Sequence, residues 1–436
     1  MGIDDPTQTA PAPTSGSSAE LHPLIWIVHH PDPQWTGRYR PLEGGADLTI
    51  GRATSGVFGG AWRDDDQASR RHVSVRRHGA EIHVEDLDSR NGSWLNAARI
   101  GRATWIDGQC LRVGSVVLLL RWSALPTGLA FEDREWVGVG PAHAALIDAV
   151  NTVGPLEYTV LIQGETGVGK DCVARAIHRR SVRDGPMVAI NCAGVGDSVL
   201  QSELFGHTRG AFTGADAARA GLVDAARGGT LFLDEIGDAS SGLQAALLRL
   251  LENGEYRPVG SDRVRRANVR VVAATHRDLR SLAAEGQFRE DLLGRLDRWS
   301  LQVDPLRHRP EDIGVLVQHF SRSRPATAAL LEQLVRYRWP GNVRELGATV
   351  ERLCATTPAG EPLDIAPWLS AEEAPTIRKK SVKKRRKRAS REELETLLEA
   401  HEGNIKACAA ELEIGRNTLY AWLSAAGIEP GSYREA

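Results

Sequence analysis

A glycine-rich stretch at residues 164–171 has the residue types and the order needed to bind phosphate. It follows an apolar run with β-branched residues, 159–162, and precedes a helical pattern, 172–178. A strand, a glycine loop and a helix in this order direct backbone N–H groups and the positive end of a helix dipole to one point. Lys170 would add a positive charge for the outer phosphates of a nucleotide. These flanking elements favour phosphate binding over a glycine turn with a solvated lysine.

Every residue of this stretch is therefore predicted to contribute to nucleotide binding. The predicted nucleotide-binding residues are Gly164, Glu165, Thr166, Gly167, Val168, Gly169, Lys170 and Asp171. The position after the lysine usually carries Ser or Thr, whose hydroxyl binds Mg²⁺, but here it is Asp171. Other partners for a metal ion are needed elsewhere in the chain.

A second apolar strand, residues 227–235, ends in the two carboxylates that such a site needs. We expect Asp234 to hold Mg²⁺ through water and Glu235 to polarise the water that attacks the nucleotide. A strand that ends in Asp-Glu is common by itself. Its place downstream of a phosphate-binding loop favours a catalytic role over chance.

The composition of the whole chain limits the classes of protein to which it can belong. Its 436 residues suffice for about two to four domains, and its net charge of −2 gives no whole-chain signal for nucleic acid. Five scattered cysteines without a CxxC pair argue against a disulfide framework or a zinc site and fit a reducing cytoplasm. We expect no signal peptide, and no apolar run is long enough to span a bilayer.

Short β-like runs separated by turns extend over residues 23–124, after a Pro-, Ser- and Thr-rich segment, 1–22, that predicts a disordered tail. The predicted strands are residues 24–28, 47–50, 72–75, 81–84 and 113–120. Asn91-Gly92 is a strong signal for a tight turn. Helical periodicity is absent, so a β-sandwich is the predicted fold of this region.

Polar residues inside this region resemble those of the forkhead-associated (FHA) domain, which binds phosphothreonine peptides. They are Gly51-Arg52, Ser69-Arg-Arg-His72, Asp88-Ser-Arg-Asn91-Gly92 and Asn96. The resemblance implies that Arg52, Ser69 and Arg70 contact the phosphate, that Asn91 holds the peptide backbone and that His72 braces the loop. Arginine and hydroxyl donors suit a phosphate group. The alternative is a β-domain whose arginines are merely solvated.

Strands and helices alternate from residue 135 to residue 305, which predicts an α/β domain with a parallel sheet and helices on both faces. The predicted strands are residues 159–162, 187–190, 230–233 and 269–274, and the first predicted helix is 141–153. Between the second and third strands, residues 203–215 suit neither a helix nor a strand. They are typical of a loop with Phe212 at its tip, or of an ordinary turn with a buried phenylalanine.

The hexapeptide at residues 210–215 resembles the signature of bacterial enhancer-binding proteins, AAA+ ATPases that activate RNA polymerase carrying sigma-54. The resemblance implies that ATP and Mg²⁺ are cofactors and that Phe212 and Thr213 contact the sigma factor. It also implies that Asn191 couples Glu235 to the nucleotide.

The same resemblance implies a ring, most simply a hexamer, because Arg289 and Arg295 match the arginine fingers given to a neighbouring subunit. Arg344 would sense the nucleotide from a helical lid, residues 306–370. Two positions depart from the family pattern: Asp171 is usually Glu, and His276 stands where an Asn senses the γ-phosphate. The hydrolysis rate or its coupling is therefore open at the sequence level.

The C-terminal part is predicted to bind DNA. Residues 371–390 form a basic linker, in which nine of the eleven residues 378–388 are Lys or Arg. Residues 391–430 contain three helical runs that resemble the Fis-type helix-turn-helix. The predicted reading residues are Arg416, Asn417, Thr418 and Tyr420. A solvated linker and a helical oligomerisation unit are the alternatives.

Together these patterns predict a multidomain chain: a β-sandwich, a P-loop ATPase with a helical lid, and an all-α helix-turn-helix. The predicted function is sigma-54-dependent transcription activation driven by ATP hydrolysis and controlled by phosphothreonine binding. The predicted partners are sigma-54 RNA polymerase, enhancer DNA, a phosphothreonine-containing protein and further copies of the chain. The alternatives are another AAA+ remodeller, such as an unfoldase, and a phosphopeptide-binding scaffold with impaired ATPase.

Overall fold

The structure is a computed structural model of the whole chain. It describes residues 21–54, 58, 60–125, 136–194, 196–212, 215–369 and 391–401, together with 408, 419, 422, 423, 426 and 428. The chain divides into two compact units, Met1–Ala374 and Pro375–Ala436. Residues 1–20 of the predicted tail and the basic run lie outside the described residues, whereas His22, the last residue of the predicted tail, already begins the first strand.

The first unit begins with a β-sandwich, as the alternation of short strands and turns predicts. Its strands are β1 (His22–His29), β2 (Tyr39–Pro41), β3 (Asp47–Ile50), β4 (Val73–His78), β5 (Glu81–Asp86), β6 (Ser93–Leu95), β7 (Ala98–Ile100), β8 (Arg102–Thr104), β9 (Cys110–Val113) and β10 (Val116–Ser123). Six of them form one antiparallel sheet in the order β2-β1-β10-β9-β6-β7, and β3-β4-β5-β8 form the other.

The prediction of a single strand over residues 113–120 was wrong. The chain turns at Gly114-Ser115, so that β9 and β10 pair as a hairpin with Val116 opposite Val113. Gly114 has φ = +62°, a left-handed conformation that glycine adopts without strain. The carboxylate of Asp65 fixes the turn by accepting hydrogen bonds from the N–H and the hydroxyl of Ser115.

The middle strands of the six-stranded sheet, β1, β9 and β10, are buried on both faces. Along β1, Ile25 and Ile27 point into the sandwich core, whereas Leu24, Trp26 and Val28 belong to a cluster shared with the lid. An antiparallel sheet usually has one face in water, so the second apolar face of β1 needs a cover. Here the cover is a pair of helices from the far side of the sequence.

The α/β core follows the sandwich. Its strands are β11 (Val160–Gln163), β12 (Met187–Asn191), β13 (Thr230–Asp234), β14 (Glu255–Tyr256), β15 (Arg265–Arg266), β16 (Arg270–Thr275) and β17 (Trp299–Gln302). Its helices are α1 (Pro141–Val153), α2 (Lys170–Arg179), α3 (Asp197–Phe205), α4 (Leu222–Ala225), α5 (Ser241–Asn253), α6 (Leu279–Ala284) and α7 (Glu290–Leu296).

The central sheet is parallel, in the order β12-β13-β16-β11-β17, which confirms the α/β prediction. The edge strand β17 was not predicted. The carboxyl ends of β11, β13 and β16 meet at one edge, and this places the glycine loop, Asp234-Glu235 and His276 close together. In an open α/β sheet this edge is where ligands bind.

The lid consists of α8 (Ile313–Phe320), α9 (Ala328–Arg336) and α10 (Asn342–Thr356), with short 3-10 turns at Leu306–His308 and Pro310–Asp312. Helices α8 and α9 pack on β1, and α9 also packs on β9 and β10. Helix α10 begins at Asn342, as predicted, and places its first turn next to the glycine loop.

The second unit is described in part. Its described helix, α11 (Arg391–Ala400), contributes Leu394 and Leu398 to a small apolar cluster with Cys408, Leu419 and Leu423. Among the residues that the structure describes, no helix has the length and hydropathy needed to cross a membrane.

Candidate functional site

The glycine loop between β11 and α2 depends on glycine at two positions. Gly167 and Gly169 have φ angles of +80° and +102°, which other residues rarely adopt. A Cβ atom at Gly167 would also overlap the carbonyl oxygen of Gly341 in the lid. The loop therefore needs glycine both for its curvature and for the close approach of the lid.

Lys170 is the first residue of α2, directly after the loop, and is only 6% exposed. Its Nζ atom donates to the carbonyl oxygens of Gly164 and Glu165 at 3.0 and 3.3 Å. The same atom is 3.3 Å from Oε1 of Glu235. A buried ammonium group held in this way is a fixed positive charge facing the loop, as phosphate binding requires.

Glu235 is held in a strained conformation at the end of β13. Its φ and ψ angles, 52° and 47°, are left-handed, which costs a non-glycine residue on the order of 1–3 kcal/mol. Its Oε2 atom accepts hydrogen bonds from Nδ1 of His276 at 2.7 Å and from the backbone N–H of His276 at 3.1 Å. Burial favours a raised pKa for Glu235, but these bonds and the charge of Lys170 lower it below its ordinary value. The carboxylate is thus kept ionised.

Asp234 and Asn191 are direct neighbours across β13 and β12. Burial, and then the charge of Glu235, raises the pKa of Asp234. Asn191 uses its Oδ1 atom to accept the N–H of Ala193 at 2.7 Å. The structure therefore brings Asn191 next to the end of β13, but the side chains that contact Glu235 are those of His276 and Lys170.

Several carboxylates near the loop have the chemistry that Mg²⁺ prefers. Asp234 is half-buried with its second oxygen available, whereas Asp171 is exposed and paired with Arg175 at 2.7 Å. Glu235, Asp238 and His276 also offer ligand atoms within 4.8 Å of one another. Asp238, however, is already paired with a neighbouring arginine, so Asp234 is the better fit for the ion.

The lid contacts the glycine loop through side chains whose contacts were not predicted from the sequence. Arg307 donates two hydrogen bonds to the carboxylate of Glu165, at 2.7 and 2.5 Å, and these lower the pKa of Glu165 to about 2. Asn342 donates to both Glu165 and the carbonyl of Thr166 at 3.1 Å. Arg344, the predicted sensor, contacts the loop through its backbone N–H, 3.1 Å from the carbonyl of Gly167. Its guanidinium is exposed.

The two predicted arginine fingers are exposed on the core surface. Arg289 caps the start of α7 and forms a two-bond pair with Asp291 at 3.0 and 2.7 Å. Arg295, six residues later, is 3.4 Å from Glu252. Both are therefore held by carboxylates of their own chain and are accessible from outside.

The loop between α3 and α4 carries Phe212 on its surface. Phe212 is 43% exposed and contacts the ring of His207 edge-on, with centroids 5.1 Å apart. Thr208 ties the base of the loop to the β14–β15 hairpin, donating from its N–H to Val259 and from its hydroxyl to Gly260, both at 3.0 Å. Thr213 lies outside the described residues. The alternative of a buried phenylalanine at this position was wrong.

The predicted phosphothreonine loops of the sandwich converge at one end. The N–H of Arg52 donates to the carbonyl of Ser69 at 3.0 Å, and a Cβ atom at Gly51 would collide with the backbone of Arg70. His72 is fully buried, and its two ring nitrogens lie 3.1 Å from the N–H of Ser69 and from the carbonyl of Gly92. This is the bracing role expected of His72.

Asn91 and Ser69 complete this group. The Oγ atom of Ser69 accepts the N–H of Arg90 at 3.1 Å, which leaves its hydroxyl hydrogen for a ligand. Asn91 donates to the backbone and side-chain oxygens of Gln67 at 2.8 and 3.0 Å.

The predicted DNA-reading residues Arg416, Asn417, Thr418 and Tyr420 lie outside the described residues.

Family models match most of the chain. The sigma-54 interaction domain matches residues 137–302, and the AAA+ ATPase lid domain matches 307–367. The FHA domain matches residues 48–119, and the Fis family of bacterial regulatory proteins matches 386–423. These four matches follow the order of the sandwich, the core, the lid and the C-terminal unit.

Curated relatives and solved structures agree with these matches. The chain is 41% identical over 317 residues to the transcriptional regulatory protein ZraR of Escherichia coli, covering 66% of this chain and 68% of ZraR. It is 47% identical over 231 residues to the nitric oxide reductase transcription regulator NorR1 of Cupriavidus necator, but spans only 45% of that protein. The crystal structure of NtrX from Brucella abortus in complex with ADP matches 68% of this chain and 70% of NtrX, with 30% identity and a TM-score of 0.50.

Proposed function

This chain belongs to the family of sigma-54-dependent transcriptional regulators, and we propose that it hydrolyses ATP to remodel the closed promoter complex of sigma-54 RNA polymerase. The observation that carries the proposal is the exposed Phe212 at the surface of a loop whose base is bonded to the core. A large apolar side chain that the fold leaves in water is available for a partner. The loop belongs to the same domain as the nucleotide site.

In this proposal the residues around the glycine loop bind ATP and activate water. Backbone N–H groups of the loop and the ammonium of Lys170 hold the phosphates, and Asp234 holds Mg²⁺. The bound ion would neutralise charge on the phosphate oxygens. Glu235, kept ionised by His276 and Lys170, accepts a proton from the attacking water. The solved NtrX complexes with ADP and with ATP support a nucleotide at this site.

Activity requires a ring, most simply a hexamer, in the same proposal. Arg289 and Arg295 are exposed at α7 and would stabilise charge on the phosphate bound by a neighbouring subunit. Residues 391–430 would bind enhancer DNA through Arg416, Asn417, Thr418 and Tyr420. The sandwich would bind a phosphothreonine-containing protein through Arg52, Ser69, Arg70 and Asn91, and the protein would act in the cytoplasm.

A Phe212→Ala variant tests the central step. We expect it to keep its melting temperature and ATPase activity near wild type, because a surface phenylalanine contributes little to the core. We expect it to lose sigma-54 binding in the transition-state complex and all open-complex formation. Phe205→Ala is the matched control: Phe205 is buried at the end of α3, and its loss should cost about 3–5 kcal/mol of stability.

A measurement of ATPase activity separates this proposal from the alternative of a phosphopeptide-binding scaffold with impaired ATPase. Asp171 and His276 keep that alternative open. Glu235→Gln should bind ATP but hydrolyse it about 10²–10⁴-fold more slowly than wild type. A wild-type protein with no more turnover than Glu235→Gln would favour the scaffold. Open-complex formation by Phe212→Ala would contradict the role of the loop.

A further inference from the structure

The centre of the outer face of the six-stranded sheet, on β1, β9 and β10, is covered by the lid. We call this surface the docking face; its members are Leu24, Trp26, Val28, Cys110, Val117 and Leu119. All six are fully buried or nearly so, and Trp26 is 1% exposed. A Cβ atom at Gly314 of α8 would overlap the carbonyl oxygen of Val28. The helix therefore reaches β1 only because residue 314 is glycine.

A buried charge pair joins the docking face to α9. Glu332 is only 3% exposed as a side chain, and its carboxylate is 3.2 Å from Nε of Arg112 on β9. The same carboxylate accepts the backbone N–H of Ala97. Burial raises the pKa of Glu332, opposed by these two contacts. Separation of the sandwich from α9 would remove both contacts and expose this side chain to water.

The contact at Ala97 connects the docking face to the predicted phosphothreonine loops. Asn96 and Ala97 have φ angles of 48° and 66°, so the tight turn between β6 and β7 carries two left-handed residues without glycine. Such a turn needs support from its surroundings, and Glu332 supplies it. Strand β6 begins two residues after Asn91. The three-residue strand β6 therefore connects Asn91 to the turn held by the lid.

The interface also contains buried polar atoms without hydrogen-bond partners. Among the described residues these include Nε1 of Trp26, Oγ1 of Thr36 and Nε of Arg336. Each unsatisfied group costs about 1–3 kcal/mol. The apolar contact is thus opposed by polar groups that water would satisfy after separation. This balance is typical of a contact that can open.

The docked sandwich restrains the lid relative to the core. Gly37, next to β1, approaches Val139, which leads into α1, and Val315 of α8. The carboxylate of Asp312 in the lid accepts the N–H groups of Val139 and Gly140 at 2.7 and 2.8 Å. The sandwich therefore touches both sides of the junction between the lid and the core. Rotation of the lid away from the glycine loop would have to break these contacts.

We propose that the docking face is a reversible interface within the chain: docked on the lid it restrains the ATPase, and a phosphothreonine peptide bound at Asn91 releases it. The proposal rests on the proposed ATPase function and on phosphothreonine recognition by the sandwich. It assigns the repressive state to the docked form, because that form ties the lid to the core. Peptide binding exchanges the bonds of Asn91 to Gln67 for bonds to the ligand and weakens the support of Ala97.

Cys110 reports docking directly, because its thiol faces the lid and is fully buried. The full chain is treated with N-ethylmaleimide, and labelling of each cysteine is followed by mass spectrometry. The probe is a mixture of synthetic peptides with a fixed phosphothreonine, and the unphosphorylated mixture is the control. We expect Cys110 to react about tenfold faster with the phosphorylated mixture, equivalent to ~1.4 kcal/mol. Cys192, buried in the core, should not change.

Gly314→Ala separates docking from peptide binding. The added methyl group has no room in the docked form, whereas alanine favours the helix itself. We expect higher basal ATPase activity, fast labelling of Cys110 without peptide and little further effect of peptide. Gly347→Ala in α10 is the matched control, because its Cβ atom would meet only the side-chain ring of Phe320, at a tight 3.3 Å that a small shift of the ring relieves, and no backbone atom.

The outcomes distinguish this proposal from its premises. If the phosphorylated mixture binds but Cys110 labelling stays unchanged, regulated docking is wrong. If Gly314→Ala exposes Cys110 but ATPase activity falls or stays constant, docking is not repressive. If no peptide binds while Gly314→Ala still raises ATPase activity, phosphothreonine recognition fails and the repressive interface stands. Lack of wild-type ATPase activity under all conditions would instead contradict the proposed function.

Discussion

The two sheets of the N-terminal sandwich differ in what covers their outer faces. On β5 of the four-stranded sheet, Ile82 and Val84 are buried in the sandwich and alternate with exposed or half-exposed polar residues. On β10 of the six-stranded sheet, residues 116–120 are all fully buried. The first sheet meets water and the second meets the lid. One fold thus presents a solvated face and a docking face, and the second packs the sandwich against the AAA+ lid.

Adjacent leucines on β10 test whether the two faces of this strand have different partners. Leu118 packs in the sandwich core and Leu119 packs against the lid. Leu118→Ala should cost about 2–5 kcal/mol in the free energy of unfolding of the sandwich. Leu119→Ala should lower the free energy of unfolding of the sandwich by less, because Leu119 contacts the lid and not the sandwich core. It should instead weaken docking and accelerate labelling of Cys110.

Chemical denaturation followed by tryptophan fluorescence, with labelling of Cys110 in parallel, measures both effects. If the two variants lose the same stability and show the same labelling, the two faces of β10 are one core. The distinction between a fixed core and a face that can open would then be lost.

Two arginines allow a comparison between an ion pair at the contact with the lid and an ion pair on the solvated four-stranded sheet. Arg112 pairs with the buried Glu332, whereas Arg76 pairs with the exposed Asp47 at 3.3 Å. Arg112→Ala removes the hydrogen-bonded counter-ion of Glu332, leaving only the charge of Arg336, and should weaken docking by about 1–3 kcal/mol. Arg76→Ala should change stability by less than about 1 kcal/mol. Equal effects of both substitutions in the same denaturation assay would contradict this difference.

The local parts of the nucleotide site could be predicted from the sequence. Gly167, Gly169 and Lys170 are a few residues apart, and Asp234-Glu235 ends an apolar strand, so each pattern lies within one element and its turn. The contact between His276 and Glu235 joins residues 41 positions apart. The pair of Arg307 and Glu165 joins residues 142 apart. No local pattern indicates such pairs, because the tertiary fold alone brings them together.

The apolar composition of β10 indicates the docking face only in part. Residues 116–120 are all apolar, and a continuous apolar run is typical of a strand buried on both faces. The sequence therefore indicates a second cover but not what supplies it. The turn at Asn96-Ala97 was missed for another reason: its left-handed residues are not glycine, and the support for Ala97 comes from the lid.

Glu311 provides the test with the smallest expected effect, because it concerns the binding of one proton to a buried carboxylate of the lid. Burial raises the pKa of Glu311 to about 7, with the charge of Asp312 in the same direction and those of Arg121 and Arg309 opposing it. The native state then binds a proton that the unfolded state has released above its usual pKa of 4.5. Stability from this group is therefore lost as the pH rises from 4.5 through 7, by at most about 1.4 kcal/mol per pH unit.

Glu311→Gln cannot ionise and should remove this loss. We expect the variant to be more stable than wild type at pH 8 and to lose that advantage towards pH 5, with denaturation midpoints measured at both values. Glu351→Gln, on the exposed side of α10, is the matched control and should follow wild type at both pH values. If wild type and Glu311→Gln have the same pH dependence, Glu311 is ionised in the native state. A charge would then be accommodated in the buried contact between the sandwich and the lid. The contrast with the solvated four-stranded sheet would be weaker than the burial of Glu311 indicates.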